Sequence, residues 1–197
     1  MQHLIYLHGF LSSPQSEKAQ LTLRYIKTHF PGLNFHCPQL LGDINKSVAL
    51  VDALVTSLSG NLRFIGSSMG GFLSTYFVEK YGKKHGEKRD ARAVIVNPAV
   101  EPFNLLSDYM GKHVNPYSNE VFYISEKSIE DLKSFYYPTI RRPANYKVLL
   151  QTGDETLDYR LACKKYAGAD FTVEQGGSHA FENYDAHLPA ILRFLQS

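Results

Sequence analysis

Leu62-Arg63-Phe64-Ile65-Gly66-Ser67-Ser68-Met69-Gly70-Gly71-Phe72-Leu73 is the stretch on which the reading of this chain turns. Residues 62–65 form a short, largely apolar run suited to a buried strand, and Gly71 to Val78 can continue as a buried helix. Between them lies Gly66-Ser67-Ser68-Met69-Gly70, a Gly-x-Ser-x-Gly placed strand, turn, helix. That context sets Ser68 at the tip of a sharp, strained turn, where its hydroxyl is presented as a nucleophile. A side chain at position 66 or 70 would crowd the strand and helix that meet there. A helix starting at Met69 aims its unpaired N–H groups, and the positive end of its dipole, at any anion forming beside Ser68. The bare pattern also fits a glycine-rich turn of no chemical consequence; the flanking strand and helix favour the nucleophile.

On either side of this stretch short apolar runs alternate with amphipathic ones. Strands are expected at 3–7, 34–37, 62–67, 93–97, 147–152 and 171–175, and helices at 14–30, 44–58, 69–82, 158–167 and 185–196. Pro14 suits a first helical turn, and Asp43 and Asp185 stand where N-caps are expected. Strands without strict alternation, separated by helices, predict a doubly wound, mainly parallel α/β sheet covered on both faces, and the strand–turn–helix around Ser68 is the nucleophile elbow of α/β-hydrolases. Ligands bind such sheets at the carboxyl ends of the strands. The 197 residues are read as a single domain, 1–197. One segment breaks the rhythm. Roughly fifty residues without a clear strand precede Lys147, too many for a structureless loop. This cap-like insertion, about 101–146, is expected to form short helices and is rich in aromatics. It reads either as a satellite core or as a lid whose Phe122 and Tyr136 wall an acyl-binding site.

Composition narrows the function. Apolar residues at 44%, charged residues at 20% and a net charge of +2 describe an ordinary globule with no case for nucleic acid. The densest basic stretch, Lys80 to Arg92, also carries Glu87 and Asp90 and reads as a solvated loop. Cys37 and Cys163 have neither metal spacing nor a disulfide framework, so they read as small core residues of a reduced protein. Met1 leads almost directly into a strand, without the basic and apolar regions of a signal peptide. No apolar run approaches the ~20 residues of a membrane span, so a cytoplasmic protein is expected.

A serine hydroxyl needs a base to take its proton, usually a histidine oriented by a carboxylate. Of the 8 histidines, His3, His29, His36, His85 and His113 sit on element flanks or in polar loops, and His187 lies within the last helix. His8 precedes the serine and is read as a brace for its own loop. His179, in Gly176-Gly177-Ser178-His179-Ala180-Phe181, follows the last strand on a glycine-rich turn that can swing its ring over the strand ends. The acid should lie between Ser68 and His179, because this fold runs Ser…Asp/Glu…His. Asp154 comes first off the strand Lys147-Val148-Leu149-Leu150-Gln151-Thr152-Gly153; Asp158 is the rival, with a helix cap as its other role, and Glu155 is a third choice. The oxyanion hole needs two backbone donors, read as the N–H groups of Met69 and Phe10. No cluster of His, Cys or carboxylates has ligand spacing, so neither metal nor cofactor is expected.

Leu7-His8-Gly9-Phe10 with Ser12-Ser13-Pro14, Pro38-Gln39-Leu40, the Ser68 turn, Val96-Asn97-Pro98-Ala99-Val100, Asn115-Pro116-Tyr117, Leu150-Gln151-Thr152-Gly153-Asp154-Glu155 and Gly177-Ser178-His179-Ala180-Phe181 together resemble the small bacterial YqiA-type esterases. The resemblance runs nearly end to end and in order. It implies a minimal hydrolase acting on small-molecule acyl esters or acyl-CoA thioesters, with Ser68, Asp154 and His179 at the matching triad positions. Two features depart from the pattern. The leading antiparallel strands of larger hydrolases are absent, and Glu101 stands where the resemblance leads one to expect a basic residue. An acyl-CoA thioesterase would use the same triad, with Arg141 and Arg142 on the CoA phosphates unless they simply form a solvated turn. A non-catalytic binding module is the remaining class, and it would gain nothing from keeping serine, acid and histidine together.

Overall fold

The computed structural model of the protein describes residues 1–82 and 89–197. His85 and Glu87 lie outside the described residues. In chain order the elements are β1 (His3–Leu7), α1 (Glu17–His29), β2 (Asn34–His36), α2 (Ile44–Ser57), β3 (Leu62–Ser67), α3 (Met69–Tyr81), β4 (Ala91–Val96), α4 (Pro102–Leu105), β5 (Gly111–Val114), β6 (Val121–Ile124), α5 (Glu126–Ser134), β7 (Tyr146–Gln151), α6 (Tyr159–Lys165), β8 (Asp170–Glu174) and α7 (Tyr184–Gln196). Six strands form one sheet in the order β2-β1-β3-β4-β7-β8, every pair parallel. The fold is a doubly wound α/β sheet, with α2, α3 and α6 on one face and α1 and α7 on the other.

Period-two geometry divides each apolar strand between two cores. Ile5, Leu7, Phe64, Ile95 and Val148 face one side, with Val51 of α2, Phe77 of α3 and Ala162 of α6. Leu4, Tyr6, Ile65, Val94 and Leu149 face the other, with Ala19 and Ile26 of α1 and Leu188 and Ile191 of α7. The chain winds outward from β1 to β2 and then returns to β3 on the opposite side of β1. That reversal leaves a crevice at the carboxyl ends of β1 and β3, where open α/β sheets bind ligands. The loops carrying Gly9 and Ser68 emerge on its two sides.

Three local expectations are corrected. Helix α1 starts at Glu17, with Ser16 as N-cap, and Pro14 stays outside it. Ser16 N–H closes a turn on the Ser13 carbonyl at 3.0 Å, and that turn redirects the chain before the helix begins. Asp185 sits in the first turn of α7; the cap position belongs to Asn183, at φ 57° and ψ 32°. Asn tolerates that left-handed conformation better than most residues. Asp43, by contrast, does cap α2, accepting from Asn45 and Lys46 N–H groups. The insertion holds the short helices α4 and α5 but also an antiparallel hairpin, β5 paired with β6. Asn115 builds its turn: the side-chain oxygen accepts from Tyr117 and Ser118 N–H groups, and Asn119 takes φ 58°. No helix among the described residues is long and apolar enough to cross a membrane.

Candidate active site

Ser68 lies between β3 and α3 at φ 55° and ψ −118°, a conformation that L residues rarely adopt. Such strain costs on the order of 1–3 kcal/mol and persists only where the surroundings dictate it. Here they do. Ser68 N–H donates to the Val96 carbonyl at 3.1 Å, and the Ser68 carbonyl accepts from Gly71 N–H at 2.9 Å and Ala99 N–H at 3.1 Å. The flanking glycines are sterically required. A Cβ on Gly66 would collide with the Gly70 carbonyl, and one on Gly70 would collide with the Leu7 carbonyl. Strand β1, strand β3 and helix α3 therefore meet at backbone contact, with Ser68 at the junction.

His179 comes over the strand ends from the loop after β8. Its Nε2 lies 3.2 Å from Ser68 Oγ, and its Nδ1 lies 2.8 Å and 3.0 Å from the two carboxylate oxygens of Asp154. An ionised carboxylate only accepts, so Nδ1 carries the proton and Nε2 is left to accept from Ser68. The Asp154 side chain is only 2% exposed, and Thr156 and Leu157 N–H groups also donate to it. The other two acids have different partners. Glu155 accepts from the His179 backbone N–H at 3.0 Å, and this bond is the main reason its pKa is lowered. Asp158 caps α6 and pairs with Arg160 at 2.8 Å, which holds its pKa down as well.

Two polar residues that the motifs did not single out hold the histidine loop in place. Asn97 Nδ2 donates to the Ser178 and His179 carbonyls at 3.0 Å and 3.3 Å, while its Oδ1 accepts from Gln151 N–H at 3.1 Å. Gln151 Oε1 accepts from Ser178 N–H at 3.1 Å and Glu182 N–H at 2.8 Å. Both side chains are buried, each at the carboxyl end of an apolar strand. A lone buried amide at a strand end is the signal that could have found them.

The loop after β1 faces Ser68 from the other side. A Cβ on Gly9 would lie 3.4 Å from Ser68 Cβ. His8 braces this loop: its Nδ1–H donates to the Gly9 carbonyl at 2.9 Å, and its Nε2 accepts from Leu40 N–H at 3.0 Å. Burial lowers the His8 pKa, the Gly9 bond opposing it, so the ring stays neutral. Among the described residues, the backbone N–H groups of Phe10 and Met69 have no intramolecular acceptor.

One space adjoins the serine itself, and two smaller ones lie behind Phe10 and Met69. A polar cleft of about 160 Å³ is lined by Gly9, Ser12, Ser16, Lys18, Ser68 and His179. Small apolar cavities of about 30 and 50 Å³ lie between the Phe10 loop, Ile44, Met69 and the insertion, which supplies Phe122, Leu106 and Leu132. Phe122 meets Phe10 edge-on at 5.9 Å between ring centres. Tyr136 is placed elsewhere: its hydroxyl donates to Glu101 at 3.0 Å, its ring meets Phe103, and Lys165 Nζ lies 4.1 Å from the ring centre. Burial, reinforced by Glu101, pushes the Tyr136 pKa up to about 12, and burial brings Lys165 down to about 8. Among the described residues no three His, Cys, Asp or Glu side chains gather as a metal site would need.

The model of an uncharacterised protein family, UPF0227, matches residues 3–196. Among solved structures the chain is similar to a protein from Agrobacterium vitis S4, 16% identical with a TM-score of 0.77, over 98% of this chain and 87% of that one. It is similar to Est1E from Butyrivibrio proteoclasticus, solved with ferulic acid bound, at 12% identity and a TM-score of 0.72, over 100% and 88% of the two chains. The mouse alpha/beta hydrolase domain-containing protein 10 gives 18% identity and a TM-score of 0.69, over 97% and 87%. At such identities the likeness speaks for the fold.

Proposed function

The chain belongs to the UPF0227 family, and from that premise and the site geometry we propose that it is a serine hydrolase of small-molecule carboxylic esters working through an acyl-enzyme. The observation that carries this reading is the continuous relay from Asp154 through His179 to Ser68 Oγ on a strained strand-to-helix turn. As Ser68 Oγ bonds to the acyl carbon, its proton passes to His179 Nε2, while Asp154 holds the ring and balances its new charge. The carbonyl oxygen becomes an oxyanion and accepts from the N–H groups of Phe10 and Met69. His179 then gives its proton to the departing oxygen, and a water repeats the sequence to free the acid. The apolar cavities beside Met69 and Phe122 suit the acyl chain.

An acyl-CoA thioesterase would run on the same three side chains, but one of the two arginines suggested for it is already engaged. Arg141 Nε is bound to buried Glu79 at 2.9 Å, in a cluster that also includes Tyr146. A non-catalytic role leaves the strained serine and the relay without a reason. The test is turnover of a chromogenic butyrate ester, together with mapping of a fluorophosphonate adduct. Ser68→Ala should lower kcat by roughly 10⁴-fold or more, and the adduct should sit on Ser68. Full activity in the variant, or an adduct on Ser67, would overturn the reading.

A further inference from the structure

The polar cleft beside Ser68 contains one cation. Lys18, on the first turn of α1, lines it with Ser12, Ser16, Ser68, His179 and Ala180. Its Nζ donates to the Ala180 carbonyl at 2.5 Å, which ties the ammonium to the residue after His179. An ammonium has three donors, and among the described residues only this one finds an acceptor. Lys18 also makes no ion pair there; Glu17 and Asp154 act on it only at longer range. Burial lowers its pKa, and the more distant charges of Glu17 and Asp154 only partly oppose this.

Which part of a substrate would meet this lysine follows from the chemistry, and the inference rests on the esterase reading. His179 Nε2 must hand its proton to the departing oxygen, so the leaving group lies against His179. The acyl chain takes the other direction, towards Met69 and Phe122. We propose that Lys18 determines leaving-group specificity: the preferred substrates are esters of short alcohols bearing an anion, a carboxylate or phosphate, that pairs with its ammonium in the cleft. The hydroxyls of Ser12 and Ser16 line the same space and can donate to that anion. A single ammonium recognises either group as a point charge.

The experiment compares three butyrate esters on the wild type, Lys18→Met and Lys18→Glu. Their leaving groups are glycolamide (neutral), glycolate (carboxylate) and 2-hydroxyethyl phosphate. The quantity read is the ratio of kcat/KM for each anionic ester to that for the neutral one. The wild-type ratio should exceed about ten for at least one anion, fall at least tenfold in Lys18→Met, and fall below one in Lys18→Glu. It should also shrink as ionic strength rises. Whichever ester shows the larger ratio identifies carboxylate or phosphate as the recognised group. Equal ratios in all three proteins, or a common loss on all three esters, would make Lys18 a brace for Ala180 and overturn the proposal while the esterase reading stands. Failure of the wild type to hydrolyse any of the three esters would instead overturn that reading, and this inference with it.

Discussion

Asp154 and Asp158 stand one short loop apart and do different work. The first is buried against His179 and receives two backbone N–H groups; the second caps a helix in solvent. Asp154→Asn would place a possible donor against Nδ1 and disfavour the tautomer that leaves Nε2 free. A loss of about 10³–10⁴-fold in kcat is expected. Asp158→Asn keeps a good capping residue and should leave kcat/KM within about threefold. Steady-state kinetics on one ester decide this, and the reverse ranking would reassign the acid. Asn97 is a positioning residue, holding the His179 loop from φ 39° through two donors and one acceptor. Asn97→Ala should lower kcat more than it raises KM, and should slow fluorophosphonate labelling of Ser68 in parallel. Unchanged labelling would show that the loop holds itself.

At the scale of elements, the insertion supplies one wall residue and one strut. Phe122 projects from β6 onto Phe10 and the apolar cavities, whereas Tyr136 closes a cluster with Glu101, Phe103 and Lys165. Phe122→Ala should shift the ratio of kcat/KM for octanoate over acetate esters, each fully buried methylene being worth up to about 0.8 kcal/mol. Tyr136→Ala should instead lower the melting temperature and leave that ratio alone. A ratio that moves with Tyr136 would extend the acyl wall to it. The hairpin bearing Phe122 was not legible in the sequence for a physical reason. In Gly111-Lys112-His113-Val114 only His113 is even partly buried, so no period-two signal exists. In Val121-Phe122-Tyr123-Ile124 the buried and exposed residues alternate, but all four are apolar or aromatic. The four inner parallel strands, by contrast, were legible because burial on both faces demands largely apolar runs. Ser68 and Asp154 stood out because each follows such a strand, β3 and β7, and His179 because it sits on a glycine-rich turn after the last strand. Asn97 follows β4 and Gln151 ends β7; an amide at the end of an apolar strand flags each of them but does not say which loop it will hold.

Across the whole molecule, the crevice depends on the loop after β1 being held to the neighbouring chain, and His8 is the bolt. Its ring is buried, donates to Gly9 and accepts from Leu40 N–H, which joins the β1 loop to the segment after β2. A second proton would destroy the acceptor, and burial already disfavours it. The sign of the consequence follows from linkage. The folded state holds the His8 pKa below that of the unfolded chain, near 6.5, so the unfolded chain binds more protons in the window just below that value. Stability therefore rises with pH through this window and falls on acidification below about 6.5. His36, lowered by burial and by His3, contributes in the same direction. Urea midpoints measured from pH 5 to pH 8 should fall at the acid end in the wild type. In His8→Gln, whose amide can still donate to Gly9 and accept from Leu40, that fall should be smaller but not abolished, because His36 remains. If the variant loses as much stability between pH 7 and pH 5 as the wild type does, the acid sensitivity arises elsewhere and His8 is not the bolt.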